Sequence, residues 1–233
     1  MLSTFDLENR RMGGWDRLSL EKHVAPVGNP FHHARNAGDL LGAECVGYRQ
    51  TTTLSLLSDV KPGHRVGMWH IAQVRAPGEI LIPVSSPDSL VSYTKHPDGQ
   101  GCVTVGGGLI RFRVGAEVKQ KIGVKADALL GRLGFLRRCE DGLWSLIVRS
   151  FLVDPSADYV DAPWDDPDDL GYAVQCYNDD GTLGDFGELE YHTPAIGYGT
   201  GMTCYRDCGS VWAFRAEQSL IQRIAGRLLT VRI

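Results

Sequence analysis

Polar and apolar residues alternate in short runs through the middle of the chain, and residues that favour turns separate these runs. Such runs predict β-strands. The separators include Lys61-Pro62-Gly63 and Asp141-Gly142, which are turn sequences. Many strands joined by tight turns, with no helix between them, predict an all-β fold built from antiparallel sheet. The predicted strands cover residues 44–57, 66–74, 79–84, 103–114, 119–124, 133–138, 144–153 and 172–177.

A further predicted strand, within residues 184–195, alternates ionisable and apolar side chains. Successive side chains of a strand point to opposite faces, so Glu188, Glu190 and His192 are expected on one face. Two carboxylates beside an imidazole are groups from which acid-base chemistry is assembled. The alternative is an ordinary solvated face of a half-buried antiparallel sheet.

The two ends of the chain depart from this pattern. Residues 217–229 carry apolar side chains every three or four positions, which predicts an amphipathic helix that docks on the sheets. Residues 1–36 lack a long periodicity and contain glycine and proline clusters, so they predict an irregular arm with a short helix at residues 16–23. We expect one β-sandwich domain over residues 1–233, because all-β domains reach this size as single units.

Charge and hydropathy exclude several classes of partner. The formal net charge is -4, and the basic residues are scattered, so no cationic stripe is available to neutralise phosphates and nucleic acid is not an expected partner. No apolar run approaches the ~20 residues that a membrane helix needs, and the start lacks the features of a signal peptide. We expect a soluble, cytoplasmic protein with no membrane partner, and the sequence leaves open whether it forms a homo-oligomer.

The six cysteines are far apart and form neither a CxxC pair nor a disulfide scaffold. We expect reduced thiols that are mostly buried. Cys204 and Cys208, four residues apart, lack a second cysteine or histidine pair at zinc-finger spacing, so packing is favoured over a zinc site. The sequence therefore predicts no metal.

The predicted strand at residues 66–74 offers a second set of candidates. It places Trp69 and Gln73 on one face and His70 on the other, among apolar neighbours. An indole beside an amide suits sugar binding, although tryptophan is also a common core residue. A lone histidine on an apolar face is more often a core residue than a catalyst.

Additional polar residues lie near these two strands. Among Lys119, Lys121 and Lys125, one could supply a cation to a pocket, although lysines on exposed strands are commoner. Tyr177 and Asp179 precede a turn, and they become ligand contacts if that turn opens beside the pocket. The Walker, GxSxG, HExxH and strand-to-helix GxGxxG signatures are missing, and we expect no cofactor.

Five short segments of the predicted strands and turns are considered together: residues 69–74, 77–78, 121–123, 177–178 and 187–194. In combination they resemble the galactose mutarotase-like superfamily, and in particular its uncharacterised branches. The resemblance spans about residues 47–194 and implies an antiparallel β-supersandwich that binds a sugar on a concave sheet face. Aldose epimerases of this superfamily use a late glutamate as base and an earlier histidine as acid, which implies Glu190 and His70 in these roles.

Three hypotheses follow from these residues. In the first, the protein is an aldose epimerase-like enzyme, in which Glu190 removes the anomeric proton while His70 or His192 protonates the ring oxygen. In the second, it is a non-catalytic carbohydrate-binding module that uses Trp69, Gln73 and the strand of Glu188. The predicted substrate-binding residues are Glu188, His192, Trp69, Gln73, Lys125, Tyr177 and Asp179.

The third hypothesis is a cupin-like barrel that binds a metal through His192, His70 and either Glu188 or Glu190. It ranks last because the closely spaced histidine pair of such sites is missing from the sequence.

Overall fold

The computed structural model describes residues 1–32, 34, 37–94, 101–163 and 165–230. The first eight strands are β1 (Leu2–Glu8), β2 (Trp15–Pro26), β3 (Glu44–Leu56), β4 (Arg65–Val66), β5 (Trp69–Arg75), β6 (Gly78–Pro83), β7 (Leu90–Ser92) and β8 (Val103–Gly106). The other eight are β9 (Leu109–Val114), β10 (Gln120–Lys125), β11 (Arg132–Arg138), β12 (Trp144–Ser150), β13 (Tyr172–Asn178), β14 (Phe186–His192), β15 (Ile196–Gly197) and β16 (Cys204–Ala216). The helix α1 spans Gln218–Leu229, and short 3₁₀ turns cover Gly38–Gly42, Pro87–Ser89 and Ala126–Ala128.

Two antiparallel sheets make up most of the fold. The large sheet has nine strands in the order β1-β2-β3-β16-β12-β11-β6-β9-β8, and the small sheet has five in the order β5-β14-β13-β10-β7. Strands β15 and β4 form a separate pair. Apolar side chains of both sheets, such as Ile80 and Phe112 of the large sheet and Val174 and Leu189 of the small one, share one buried cluster. The predicted all-β antiparallel sandwich is therefore confirmed.

The helix α1 packs on the large sheet, on the side away from this shared core. Alternation along β6 explains the two layers, because Ile80 belongs to the core between the sheets while Leu81 contacts the cluster beneath the helix. On the helix side, Ile221, Ile224 and Leu229 are fully buried in this second cluster. The predicted docking helix is confirmed, and it covers what would otherwise be an exposed apolar sheet face.

The prediction of an irregular arm over residues 1–36 is wrong for most of its length. Strands β1 and β2 form a hairpin that extends the large sheet along β3. Asp16 and Leu18 are buried while Trp15 and Arg17 are exposed, which is the period of a strand and not of the predicted short helix. Gly13 and Gly14 adopt positive φ values of 76° and 87° between the two strands, so the glycines form a turn and not an unstructured stretch.

Two further sequence expectations are corrected by the structure. Residues 103–114 are not one strand, because Gly107 and Gly108, both with positive φ, turn the chain back between β8 and β9. All six cysteines are free, but just Cys102 and Cys176 are buried, whereas Cys204 and Cys208 lie exposed on the solvent side of β16. In the described part of the chain, no helix is long and apolar enough to cross a lipid bilayer.

Candidate functional site

The candidate site lies on the outer face of the small sheet, which we define as the face turned away from the large sheet. Strand β14 lies between the edge strand β5 and strand β13, and its pairing with β5 sets side chains directly opposite one another. His192 pairs with Trp69, and Glu188 pairs with Gln73. The strand register is fixed by Leu189, which is buried in the core between the sheets and so turns its neighbours Glu188 and Glu190 to the outer face.

Glu190 lies at the centre of this face and is 0% exposed. Its Oε2 accepts a hydrogen bond from Trp69 Nε1 at 2.8 Å and one from Lys121 Nζ at 3.1 Å. Its Oε1 is buried with no hydrogen-bond partner among the described residues. Burial raises the pKa of Glu190, and the charge and hydrogen bond of Lys121 with the Trp69 hydrogen bond oppose that rise.

His192 stacks beside Trp69, with ring centroids 6.0 Å apart and an interplanar angle of 10°. Its Nε2 has no hydrogen-bond partner in the described structure and lies 4.0 Å from Asp161 Oδ2. Burial lowers the pKa of His192 to about 4. The imidazole is therefore neutral at pH 7.

Gln175 extends the buried polar cluster from β14 to the neighbouring strand β13, where it pairs with Glu190. Its Nε2 donates to the Tyr93 hydroxyl at 2.9 Å and also to Asp161. Gly123 gives the Tyr93 ring room to lie on the sheet, because a Cβ at that position would be 2.9 Å from the ring. Gln175 Oε1 is a further buried atom without a partner in the part of the chain that the structure describes.

Three buried polar atoms on one face thus lack partners within the described residues. They are Glu190 Oε1, Gln175 Oε1 and His192 Nε2. Buried polar atoms are usually hydrogen-bonded, and exceptions concentrate where a ligand or an ordered water completes the site. This clustering distinguishes the outer face from an ordinary solvated strand surface.

The exposed part of the site runs along β5, and we call Trp69, Ile71 and Gln73 the β5 strip. Trp69 is 52% exposed and Ile71 is 42% exposed. The Lys121 ammonium lies 5.1 Å from the centre of the Trp69 ring. Gln73 Nε2 donates to Glu188 Oε1 at 3.0 Å, so an amide and a carboxylate lie at the far end of the strip.

His70 does not join this site, and its predicted pairing with Glu190 is wrong. Strand alternation that turns Trp69 outward turns His70 inward, where its ring stacks on Tyr191 at 4.6 Å. Its Nε2 is 3.5 Å from Asp207 Oδ2, and its Nδ1 is 3.2 Å from Gln50 Nε2. The small sheet therefore separates His70 from the carboxylate on which it was expected to act.

The metal site of the cupin-like hypothesis is wrong for the same reason. It required His70 to bind a metal together with His192 and a glutamate, but His70 lies on the opposite face of the small sheet from those residues. Among the described residues, no three histidine, cysteine, aspartate or glutamate side chains converge as metal ligands would.

The other predicted contacts lie at the margins of the face. Lys125 pairs with Asp169 at 2.6 Å, near the edge of the sheet. Tyr177 donates its hydroxyl to Asp179 at 3.0 Å. Asp179 Oδ2 also accepts from the amides of residues 181, 183 and 184, so this carboxylate shapes the turn before β14.

Two residues central to the cluster were not singled out by the sequence. Lys121 was one of three equivalent lysines, and Gln175 lies in the predicted strand over residues 172–177, where it was given no role in binding. The registers of β10 with β13 and of β13 with β14 bring both to Glu190. The polar period of two along residues 119–125 was the available signal, and it does not choose among the lysines.

No protein-family model, curated protein or solved structure matches this chain. The resemblance to the mutarotase-like superfamily therefore stays a prediction.

Proposed function

We propose that the outer face of the small sheet binds a carbohydrate and that Trp69 is the platform on which a sugar ring stacks. The observation that carries this proposal is the half-exposed indole of Trp69, whose orientation is held by contacts with side chains of the same sheet face. Its Nε1 donates to the buried Glu190, while His192 and Lys121 contact the ring. An indole fixed by its own N–H presents an apolar plane at little further loss of conformational entropy on binding.

The length of the β5 strip favours a ligand longer than one sugar ring. Gln73 lies four positions after Trp69, which corresponds to roughly 13 Å along an extended strand. Ile71 continues the apolar surface between them, and the Gln73–Glu188 pair supplies donors and acceptors for hydroxyl groups at the end. An oligosaccharide lying along β5 would use all of these groups.

Acid-base catalysis on a bound sugar is the second candidate, and the unpartnered Glu190 Oε1 favours it. In an aldose epimerase reaction, Glu190 would take the anomeric hydroxyl proton while a donor protonates the ring oxygen and the ring C–O bond breaks. His70 lies on the other face and His192 is neutral, so the donor would be the Lys121 ammonium, 3.1 Å from Glu190. Binding ranks first because Glu190 is fully buried, and a sugar reaches it only if the residues above it move.

Calorimetric titration with a panel of oligosaccharides tests the binding proposal. The key variant is Trp69→Ala, and Trp15→Ala is its matched control, because Trp15 is 58% exposed on the hairpin of the other sheet. We expect Trp69→Ala to weaken binding at least tenfold, since aromatic anchors dominate such contacts. Equal binding by wild type and Trp69→Ala, or no binding of any sugar on the panel, would contradict the proposal.

Polarimetry of anomer interconversion tests the catalytic candidate on the same panel. Glu190→Gln preserves the shape of the side chain and removes the base, so a catalysed rate should disappear in this variant while the fold persists. If the wild-type protein binds a sugar and its anomers interconvert at the buffer rate, binding without turnover is the function.

A further inference from the structure

A separate cavity of about 200 Å³ lies between the N-terminal hairpin and the start of the small sheet. We call it the hairpin groove. Apolar side chains make up most of its lining, among them Phe5, Leu18, Leu20, Leu54 and Met68. The groove meets the outer face at Trp69 but lies on the other side of β5, so it is distinct from the proposed carbohydrate site.

One end of the hairpin groove is polar and positively charged. Lys22 and Thr52 are register partners on β2 and β3, and both line this end together with His70. Lys22 forms no ion pair with a described residue, and no carboxylate lines the groove. Thr52 Oγ1 accepts a hydrogen bond from Gln50 Nε2 at 3.2 Å, which leaves its hydroxyl hydrogen available to donate.

The surroundings of His70 agree with a positive potential at this end. The pKa of His70 is lowered to about 4, first by burial and then by the charges of Arg149 and Lys22. The nearest carboxylate is Asp207, which is buried and pairs in register with Thr52 on the side away from Lys22. It lies 3.5 Å from His70 Nε2 and accepts a hydrogen bond from the Tyr191 hydroxyl at 2.7 Å. The Asp207 carboxylate therefore contacts His70 and Tyr191, and it is not among the residues that line the groove.

We propose that the hairpin groove binds a medium-chain aliphatic monocarboxylate, with its carboxylate on Lys22 and Thr52 and its chain along the leucines of the hairpin. An unpaired lysine beside a hydroxyl, at one end of an apolar groove without acidic residues, is complementary to a single anionic head on an apolar tail. The volume sets the length of the chain. An apolar cavity of ~150 Å³ accommodates benzene, so a groove of this size suits a chain of roughly eight carbons.

Calorimetric titration of the full chain with octanoate, 1-octanol and octylammonium tests head group and tail separately. We expect octanoate to bind at least tenfold more tightly than octanol, and octylammonium not to bind, because Lys22 repels a second cation. Lys22→Met keeps the aliphatic stem and removes the charge. It should weaken octanoate binding about tenfold and leave octanol binding unchanged.

Two further variants control the result. Lys119→Met removes the same charge from the exposed β10 end, outside the groove, and should bind octanoate like wild type. Leu20→Trp fills the groove and should abolish the binding of both octanoate and octanol, with circular dichroism showing that the sheets persist. The proposal is overturned if wild type binds no octanoate at millimolar concentration, or if Lys22→Met binds it as tightly as wild type does.

Discussion

The buried pair of Lys121 and Glu190 makes the sharpest prediction about stability. Lys121→Met removes the cation and preserves most of the side-chain volume, which leaves the Glu190 carboxylate with the Trp69 indole as its one hydrogen-bond donor among the described residues. The side chains of the pair are 12% and 0% exposed, so water cannot replace the lost ammonium. The variant should therefore be much less stable than wild type at neutral pH.

The structure sets the size of this effect. At 3.1 Å the two charges attract by about 5 kcal/mol if the effective dielectric constant is ~20. Breaking a buried pair by removing one partner typically costs about 3–5 kcal/mol, and we expect Lys121→Met to lower the free energy of unfolding by that amount at pH 7. Urea unfolding followed by circular dichroism measures it.

The pH dependence of this loss identifies its cause. Burial raises the pKa of Glu190 in the folded state, and the loss of Lys121 removes the main opposing influence. Because the folded state then binds the proton more tightly than the unfolded state, ionisation of Glu190 costs stability. The loss should be small below the unfolded pKa of about 4.3 and should grow as pH rises towards the folded pKa.

Two variants complete this experiment. The double variant Lys121→Met/Glu190→Gln removes both charges and should recover most of the stability. Lys125→Met breaks the pair with Asp169, whose side chains are 38% and 29% exposed, and should cost no more than about 1 kcal/mol. If Lys121→Met unfolds at the wild-type urea concentration at both pH 4 and pH 7, the carboxylate is not buried against this lysine, and the fixed Trp69 platform loses its basis.

Two other predictions concern the helix and the thiols. Ile224→Asp should lower the free energy of unfolding by several kcal/mol, since it buries an unpaired carboxylate under α1. Ser219→Asp, on the exposed side of the helix, is the control and should not destabilise the fold. An unchanged melting temperature for Ile224→Asp would show that the helix does not dock. In the unreduced native protein, an alkylating reagent should label the exposed Cys204 and Cys208 quickly. It should label Cys176 only after denaturation, because burial raises the pKa of that thiol. Peptide mass mapping locates the labels, and a disulfide between Cys204 and Cys208 would contradict this prediction.

The local pattern of the sequence predicted most of the small sheet and less of the large one. Alternation alone was enough for β5 and β14, where Val74 and Leu189 face the core between the sheets. It failed for β16, because Asp207 occupies an inward position in that strand and is stabilised there by the Tyr191 hydroxyl. A polar residue at a core position looks like a break in the pattern until its distant partner is known.

Strand alternation likewise predicted one part of the candidate site and missed another. Period-two alternation along a strand correctly grouped Glu188, Glu190 and His192, and it also placed Trp69 and His70 on opposite faces. The resemblance to a sugar-epimerase family nevertheless paired His70 with Glu190, and local strand geometry rules that pairing out. Pairings between strands are non-local, so the contribution of Lys121 could not be predicted from spacing.

The position of β16 in the large sheet has a consequence for synthesis of the chain on the ribosome. Strand β3, Glu44–Leu56, pairs along its length with β16, Cys204–Ala216, which is made about 150 residues later. At ~5–20 residues per second, the strands of the N-terminal hairpin and β3 therefore wait roughly 8–30 seconds for their neighbour. During that time β3 presents a free edge on which other nascent chains can pair, so the interval before β16 emerges is when co-translational chaperones matter most for this fold.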